Sequence, residues 1–384
     1  MKFLLINYEY PPIGAGAATA TQAIAKNLCQ LGHEVTVLTA RYGELPAVQN
    51  EEGVTVRRVK CRRRYADRCT IAEMTSFVVS ALLALPSIMK ASRANAVIAF
   101  FSIPCGPIAL LAKVLFHMPY VISLRGGDVP GLVPEIAWVH RLLGPIRRAA
   151  LKYATAVVAN ANGLRELSEA NDPVKVRVIP NGVDAEFFQP ALQANAIANQ
   201  PFRIVFTGRL QTQKNVALLL EEFAALRASA AIPVELHLVG DGPLRAELQQ
   251  QADSIGLNGS VKWHGWNQRE QLRRLYQQSD CFVNPSFYEG MPNAVLEAMA
   301  CAKPVVASGI AGHNVLVRDG ENGFLFSLDD HAALRNCLRR LIDDRARAVQ
   351  MGQNGRQLVE REFSWRRVAA AYVDLFAAPN RLAK

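Results

Sequence analysis

The chain has 384 residues, half of them hydrophobic and a fifth charged, which is typical of a globular protein with room for two domains. Its 43 Lys and Arg residues exceed its 33 Asp and Glu residues, so the net charge is +10 at pH 7. The apolar opening MKFLLIN is too short for a signal peptide. The longest apolar stretch, 75–89, is shorter than the roughly 20 residues that span a bilayer and contains Pro86, so we expect no membrane-spanning helix.

Apolar, β-branched runs alternate with helix-length segments in the first half of the chain. The predicted strands cover 2–7, 34–39, 54–59, 96–101, 120–124, 156–160 and 176–180. The predicted helices cover about 19–31, 107–117, 134–153 and 162–170. This alternation is typical of a parallel sheet with helices on both faces, and it predicts an N-terminal domain over 1–184.

After Asp184 the sequence becomes polar and aperiodic, which indicates a linker over 185–200. A second alternation follows, with strands at 202–208, 234–240, 261–265, 281–286, 304–308 and 323–326. Its helices are predicted at 215–229, 243–255, 268–278, 293–301 and 330–345. The predicted fold class is therefore α/β, with two Rossmann-like, doubly wound domains facing each other across a cleft and the second domain over 201–364.

Residues 57–68 form a basic tract with seven basic side chains and one acidic side chain. Three interpretations are open: a solvated basic face, attraction to anionic lipid headgroups, and nucleic-acid binding. The apolar stretch that follows favours lipid, and no aromatic-interleaved motif supports nucleic acid. Together with the basic segment 140–152, the tract predicts contact with the inner face of the cytoplasmic membrane and no nucleic-acid partner.

The seven cysteines are scattered, with no Cys-x-x-Cys pair and no histidine at metal-ligand spacing. We expect reduced thiols in a cytoplasmic protein. The glycines after strand one, Gly14 and Gly16, suit either a structural turn or a loop that holds a phosphate at a helix start. Their Gly-x-Gly-x-x-Thr spacing, without an acidic residue at the end of the second strand, argues against NAD.

Arg209 and Lys214 follow the first strand of the second domain and can converge on one anion, although basic residues at turns are usually solvated. The helix predicted after Pro292 directs the amides of Met291, Asn293 and Ala294 to the same strand ends. Together these groups predict a diphosphate site. The Gly240–Gly242 turn is more simply interpreted as structural.

Two glutamates, Glu289 and Glu297, flank the start of this predicted helix. Carboxylates touching a phosphate would repel it, so they are better placed to accept hydrogen bonds from hydroxyl groups on either side. A nucleotide-sugar has that layout, with a ribose on one side of the diphosphate and a hexose on the other.

The order of these motifs resembles the retaining glycosyltransferases of family 4, which have the GT-B fold. The matching segments are the Gly-rich first loop, IPNGVD (179–184), TGRL…KN (207–215), LVGDGPLR (238–245), VKWHGW (261–266), Glu289-x7-Glu297 and FSWRRVAAAYVDLF (363–376). In the family the last segment is a helix that returns to the first domain, and we expect it here over about 365–384.

The resemblance implies a metal-independent hexosyltransferase that retains anomeric configuration and acts in cell-envelope glycan synthesis. Its donor would be a UDP- or GDP-linked sugar, with no further cofactor, and its acceptor a glycan or a lipid-linked glycan. A GT-B-fold sugar-nucleotide epimerase and a non-catalytic scaffold of a polysaccharide complex are the alternatives. The intact basic and acidic motif residues argue against the scaffold.

The resemblance also implies residue roles. Arg209 and Lys214 would hold the leaving diphosphate, Glu289 would lie beside the transferred sugar, and Glu297 would bind the ribose. The loops that hold the donor would also include Gly14, Gly16, Gly290, Met291 and Asn293. The segment Val261–Trp266 is similar to the one that flanks the nucleobase.

Two positions depart from the family pattern. Where relatives often have His-Gly-x-Asp, this chain has Arg125-Gly126-Gly127-Asp128. Arg125 either binds the phosphate, an anionic sugar or an anionic acceptor, or forms an ion pair with Asp128 that braces the loop. The loop 308–323 has Asn314 where relatives often have Glu.

Overall fold

The computed structural model describes residues 1–14, 16–66, 69–191 and 200–377. The chain divides into two compact units. Unit 1 comprises Met1–Asn181 and the segment from Trp365 onwards, and unit 2 comprises Gly182–Ser364. Most of the predicted linker, 192–199, and the end of the predicted last helix, 378–384, lie outside the described residues.

The strands of both units are short and mostly buried. In unit 1 they are β1 (Lys2–Ile6), β2 (Glu34–Ala40), β3 (Val48–Glu51), β4 (Val54–Val59), β5 (Ala96–Phe100), β6 (Tyr120–Leu124), β7 (Ala156–Ala159) and β8 (Val176–Val178). In unit 2 they are β9 (Phe202–Thr207), β10 (Val234–Val239), β11 (Val261–Gly265), β12 (Cys281–Asn284), β13 (Val305–Ser308) and β14 (Gly323–Phe326).

The helices alternate with these strands along the chain. They are α1 (Gly16–Gln30), α2 (Ile71–Ser92), α3 (Gly106–Phe116), α4 (Ala137–Lys152), α5 (Asn162–Asn171), α6 (Val216–Ser229), α7 (Arg245–Ser254), α8 (Arg269–Gln278), α9 (Asn293–Ala300), α10 (Ala311–Asn314), α11 (His331–Asp343), α12 (Arg345–Glu362) and α13 (Trp365–Ala377).

Unit 1 is an eight-stranded sheet in the order β3-β4-β2-β1-β5-β6-β7-β8. All its neighbouring pairs are parallel except β3 and β4. The crossovers through α2, α3 and α4 run in one direction along the sheet and the crossover through α1 runs in the other. Because such crossovers are right-handed, α1 lies on the face opposite α2, α3 and α4. The last helix, α13, packs beside α1, and Phe376 contacts Phe3 of β1 with their ring centroids 5.7 Å apart.

Unit 2 is a six-stranded, wholly parallel sheet in the order β11-β10-β9-β12-β13-β14. Its core is formed by the apolar residues of these strands and of α6, α11 and α12. The prediction of two doubly wound α/β sheets is confirmed. The sequence patterns missed α2, α10, α12 and the edge strand β3. The alternation of exposed and half-buried residues in β3 gives little apolar signal.

The expectation that no helix is long enough to span a membrane is wrong for α2. This helix has 22 residues, and the mean hydropathy of its most apolar window is 1.7. Of that window, 28% is buried. It continues through Pro86 because Phe77, Ala81 and Leu85 on one side of the proline and Ile88 on the other side are buried. Length and composition alone do not distinguish a spanning helix from one that packs on a sheet, as α2 does here.

The basic tract 57–68 is not a wholly solvated face. The Arg58 side chain is almost fully buried, and its Nη2 lies 3.0 Å from Glu51 Oε1. The buried Arg63 guanidinium lies 3.8 Å from Glu9 Oε1 and donates to the carbonyl oxygen of Tyr8 at 3.1 Å. These two arginine side chains are structural, and their buried guanidinium groups are not available to solvent or lipid. Asp67 and Arg68 lie outside the described residues.

Candidate active site

The loop that carries Arg209 is fixed by close backbone packing in unit 2. Gly208 N donates to Val239 O at 3.0 Å, and Leu210 N donates to Asp241 O at 2.9 Å. A Cβ at Gly240, where φ is +136°, would lie 1.9 Å from Gly208 O. The loops after β9 and β10 therefore touch where no side chain fits, and this contact sets the backbone position of Arg209.

Gly240→Ala is expected to reduce the free energy of unfolding of unit 2 by roughly 2–4 kcal/mol and to displace the Arg209 loop. Gly256→Ala is the matched control, because Gly256 also has a positive φ, +75°, but a Cβ there would meet no other atom within 4 Å. The control should cost about 1 kcal/mol. Calorimetric unfolding of both variants measures the difference, and equal costs would show that the backbone contact is unimportant.

Lys214 and Glu289 are in direct contact. Lys214 Nζ lies 2.5 Å from Glu289 Oε1, and Ser286 Oγ donates to the same carboxylate oxygen at 2.7 Å. Gln213 links the segment of Lys214 to that of Glu289. Its side-chain amide donates to Tyr288 O at 2.7 Å, and its backbone carbonyl accepts from Phe287 N at 2.9 Å. The sequence predicted separate roles for Lys214 and Glu289, whereas the structure joins them as one half-buried ion pair.

The segment after β13, which includes α10, packs against the backbone of Glu289. A Cβ at Gly312 of α10 would lie 2.5 Å from Glu289 O. His313 is fully buried, and its Nδ1 lies 2.8 Å from Ser308 O, while its Nε2 is buried without a hydrogen-bond partner among the described residues. Burial lowers the pKa of His313, so its imidazole is neutral near pH 7. Asn314, at the end of α10, is exposed.

Glu297 belongs to a second hydrogen-bonded group in α9. The buried Tyr276 hydroxyl donates to Glu297 Oε2 at 3.1 Å and lies 2.8 Å from Thr207 Oγ1, at the end of β9. Burial of the carboxyl group raises the pKa of Glu297 to about 7, and the hydrogen bond from Tyr276 and the charge of Arg269 act in the opposite direction. This acid therefore changes its protonation state near neutral pH.

The first turn of α9 follows the Glu289 loop directly. Gly290 is half-buried and Met291 is buried, and no side-chain hydrogen bond caps the helix at Pro292. The N-terminal amides and the positive end of the helix dipole favour an anion at this turn. Asn293 is the first residue of α9, as the predicted anion site requires.

Neither sequence spacing nor motif order pointed to Ser286, His313 or Tyr276. Ser286 contacts Glu289, His313 hydrogen-bonds to Ser308, and Tyr276 contacts Glu297. The Tyr276 hydroxyl reaches Glu297 across 21 sequence positions. A tyrosine on the inward face of a largely polar helix such as α8 predicts core packing, so no sequence signal distinguished its hydroxyl group.

The predicted residues of unit 1 lie at the ends of β1 and β6. Helix α1 begins at Gly16 rather than near Thr19, and Gly14 lies against the side chain of Glu9. Glu9 was not predicted and is nearly buried. The structure thus places a carboxylate beside the first glycine of the candidate phosphate loop.

Arg125 does not form the predicted ion pair with Asp128. The Asp128 carboxylate accepts from the backbone N–H groups of Arg125 at 2.9 Å and of Ser102 at 2.6 Å. The Arg125 guanidinium instead donates to Asn181 Oδ1 at 2.7 Å and to Tyr372 Oη at 3.3 Å. The Asp128 carboxylate therefore holds this loop in place, but through hydrogen bonds from backbone N–H groups and not through an ion pair with Arg125.

Arg125→Ala is expected to lower the free energy of unfolding of unit 1 by about 2 kcal/mol, because two hydrogen bonds to a charged donor are lost. Both acceptors, Asn181 and Tyr372, belong to unit 1, so the affinity for a nucleotide should be unchanged. Thermal unfolding and calorimetric titration measure the two effects. A stable variant with weakened nucleotide binding would instead support a phosphate contact.

Among residues 1–14, 16–66, 69–191 and 200–377, no group of three His, Cys, Asp or Glu side chains is arranged to hold a metal ion. All seven cysteines are free thiols. Metal independence remains a prediction from the sequence.

Two family models match this chain. The one described as "Glycosyl transferases group 1" matches residues 188–358. The one described as "Glycosyl transferase 4-like domain" matches residues 15–182. The first match includes all the candidate residues of unit 2, and the second includes Gly16, Arg125 and Asp128.

The chain is 34% identical over 202 residues to the UDP-Gal:alpha-D-GlcNAc-diphosphoundecaprenol alpha-1,3-galactosyltransferase of Escherichia coli. That alignment covers 50% of this chain and about half, 51%, of the relative. The structure is similar to that of a sucrose-phosphate synthase from Thermosynechococcus elongatus, with a TM-score of 0.84, 23% identity and coverage of 98% and 99% of the two chains. It is also similar to Anabaena HepE in complex with UDP and glucose, with a TM-score of 0.77, 20% identity and coverage of 99% and 100%. At these identities the two structures show the fold, which is of the GT-B type predicted from the sequence.

Proposed function

Because the chain belongs to the group 1 glycosyltransferases of family 4, we propose that it is a retaining enzyme that uses a nucleotide-diphosphate sugar. The observation that carries this proposal is the position of the Lys214–Glu289 pair directly before the first turn of α9. A cation, helix amides and a carboxylate at one place suit a diphosphate joined to a hydroxyl-rich sugar.

UDP is the nucleotide we propose first. HepE was crystallised with UDP and glucose, and the Escherichia coli relative is named for a UDP-linked galactose. In unit 2, Glu297 would accept hydrogen bonds from the ribose hydroxyls, which a carboxylate with four lone-pair sites can do. Glu297 is half-buried, and one of its carboxylate oxygens is engaged by Tyr276, which leaves the other for the ribose.

In the proposed reaction, the bond between the anomeric carbon and the diphosphate oxygen breaks, and the acceptor oxygen bonds to the same face of the sugar. The acceptor proton passes to the leaving diphosphate. Arg209, Lys214 and the α9 amides would stabilise the charge that develops on the diphosphate, which is where a fixed electrostatic environment has its largest effect. Glu289 would orient the sugar through its hydroxyl groups. No metal ion or further cofactor is part of this proposal.

We propose a lipid-linked glycan of the cell envelope as the acceptor, handled at the cytoplasmic face of the membrane. The name of the Escherichia coli relative contains a diphosphoundecaprenol acceptor, which supports this choice. The free thiols of all seven cysteines suit a reducing compartment.

Calorimetric titration of the full chain with UDP, GDP and ADP tests the donor site. We expect UDP to bind with micromolar affinity and more tightly than the other two, and to bind less tightly to Lys214→Ala and Glu297→Ala. Arg339→Ala, an exposed arginine of α11, is the control and should bind UDP as the wild type does. If none of the three nucleotides binds the wild type, the proposed function is wrong.

Incubation with UDP-sugars and a lipid-linked acceptor then tests the reaction. Retention is expected, and NMR of the product reports the anomeric configuration. Activity should survive a chelator of divalent cations. Release of an altered sugar without an acceptor would identify an epimerase instead.

A further inference from the structure

Helix α4 presents an apolar stripe to solvent. Trp138, Leu142 and Ile146 are spaced by four residues, which places them on one face of the helix, and they are 59%, 69% and 48% exposed. Its opposite face is buried and includes Arg147 and Leu151. A helix that packs on a sheet normally turns polar residues outwards, so this stripe lacks a partner within the described chain.

A row of exposed cations lies beside the apolar stripe of α4. Arg141, Arg148 and Lys152 are exposed, and at 100° per residue they lie side by side, next to the apolar stripe and away from the buried face. No acidic residue occurs in α4. The solvent face of α4 is therefore apolar along one edge and cationic along the other, where the exposed Arg148 Nε also lies 4.0 Å from the buried Asp172 Oδ1.

The neighbouring helices extend this surface. On α2, Val79 and Leu83 are exposed, the latter by 81%, and on α3, Val114 and Leu115 are exposed. The packing order is α2, α3, α4 on one face of the sheet. The three helices contain one acidic residue between them, Glu73, which is buried in the N-terminal cap of α2.

We propose that this surface of α2, α3 and α4 docks on a bilayer containing anionic phospholipids. Trp138 and Leu142 would enter the headgroup region, and Arg141, Arg148 and Lys152 would contact lipid phosphates. An exposed apolar stripe flanked by cations is the pattern that an anionic bilayer attracts, and the one exposed carboxylate directly before α4 is that of Glu135. The inference rests on the proposed function only in that docking brings the enzyme to a lipid-linked acceptor.

Two other assignments fit less well. The tract 57–68 has two of its arginines, Arg58 and Arg63, engaged inside unit 1. A second copy of this chain, docked through the same patch with two-fold symmetry, would place cationic rows near one another without acidic partners.

Cosedimentation of the full chain with vesicles tests the proposal. Wild type should bind vesicles of phosphatidylglycerol and phosphatidylcholine at low salt, bind weakly to phosphatidylcholine alone, and dissociate as salt increases. The triple variant Arg141→Glu, Arg148→Glu, Lys152→Glu should lose roughly a hundredfold in partitioning or more, since each basic residue near an anionic surface contributes about fivefold. The variant Trp138→Ala, Leu142→Ala should also weaken binding, at all salt concentrations.

The matched control is Arg274→Glu, Arg339→Glu, Arg347→Glu, which makes the same change in net charge at exposed positions of unit 2. It should reduce binding far less. Equal losses in both triple variants, or no binding of wild type to anionic vesicles, would overturn the proposal. So would concentration-dependent dimerisation in analytical ultracentrifugation that the α4 variants abolish. UDP affinity, measured on every variant, reports folding and tests the proposed function separately, because no α4 residue belongs to the donor site.

Discussion

Lys214→Ala is expected to reduce kcat/KM for the nucleotide-sugar by a factor of about 10² to 10³, or about 3–4 kcal/mol of transition-state stabilisation. The ammonium group of Lys214 contacts Glu289 and is held at 2.5 Å from that carboxylate. A cation fixed in advance stabilises developing charge on a leaving diphosphate without reorganisation. Most of the loss should therefore appear in kcat, and steady-state kinetics with saturating acceptor separates kcat from KM.

Because Lys214 is paired with Glu289, its removal should also lower the stability of the fold. Without Lys214, the nearly buried Glu289 carboxylate keeps Ser286 as a donor but loses its counter-charge, and a buried unpaired charge destabilises a fold. Glu289→Gln should relieve this effect, so the double variant should unfold at a higher temperature than Lys214→Ala alone. Lys175→Ala, an exposed lysine of unit 1, controls for the loss of one positive charge. Unchanged kcat/KM in Lys214→Ala would exclude the proposed role.

The strands were predicted almost to the residue because buried parallel strands are continuous apolar runs with clear ends. The runs 120–124 and 323–326, for example, match β6 and β14. The failures have separate causes. The edge strand β3 lacks an apolar run, and α2 continues through a proline because its buried face continues on the far side.

Residue type and turns predicted Lys214 and Glu289 as candidate residues and a helix start after Pro292. The structure confirms the helix start at Asn293, and the roles of the two side chains stay predictions. The contacts between these groups were not predictable. Lys214 and Glu289 are 75 positions apart, and whether two opposite charges meet depends on the crossing of two loops. The same limit applies to the tract 57–68, where sequence shows seven cations but not that Arg58 and Arg63 face inwards.

UDP affinity is expected to fall as the pH decreases through about 7, because the pKa of Glu297 is raised to about 7 by burial. Below that pH the carboxyl group is protonated and loses much of its capacity to accept hydrogen bonds from ribose hydroxyls. The groups that face it are Tyr276 and Arg269 of α8 and Cys301 after α9. Burial raises the pKa values of Tyr276 and Cys301, so Glu297 is the one of these that titrates near pH 7. Calorimetry in buffers of different ionisation enthalpy should show proton release on UDP binding at about pH 6.5 and little at about pH 8.5.

Tyr276→Phe should move this transition to higher pH. The tyrosine hydroxyl donates to Glu297 Oε2 and so stabilises the ionised form; without it the pKa of Glu297 rises further. UDP binding by the variant should thus be weak at pH 7 and recover near pH 9, a recovery that a misfolded site would not show. Thr207→Val is the matched control, since it removes a different hydrogen bond of the Tyr276 hydroxyl and leaves the one to Glu297, so its transition should stay near that of the wild type. Glu297→Gln should bind weakly at every pH. If Tyr276→Phe kept the wild-type transition, the hydroxyl group would be a packing feature of α8, and the protonation of Glu297 would be governed by burial alone.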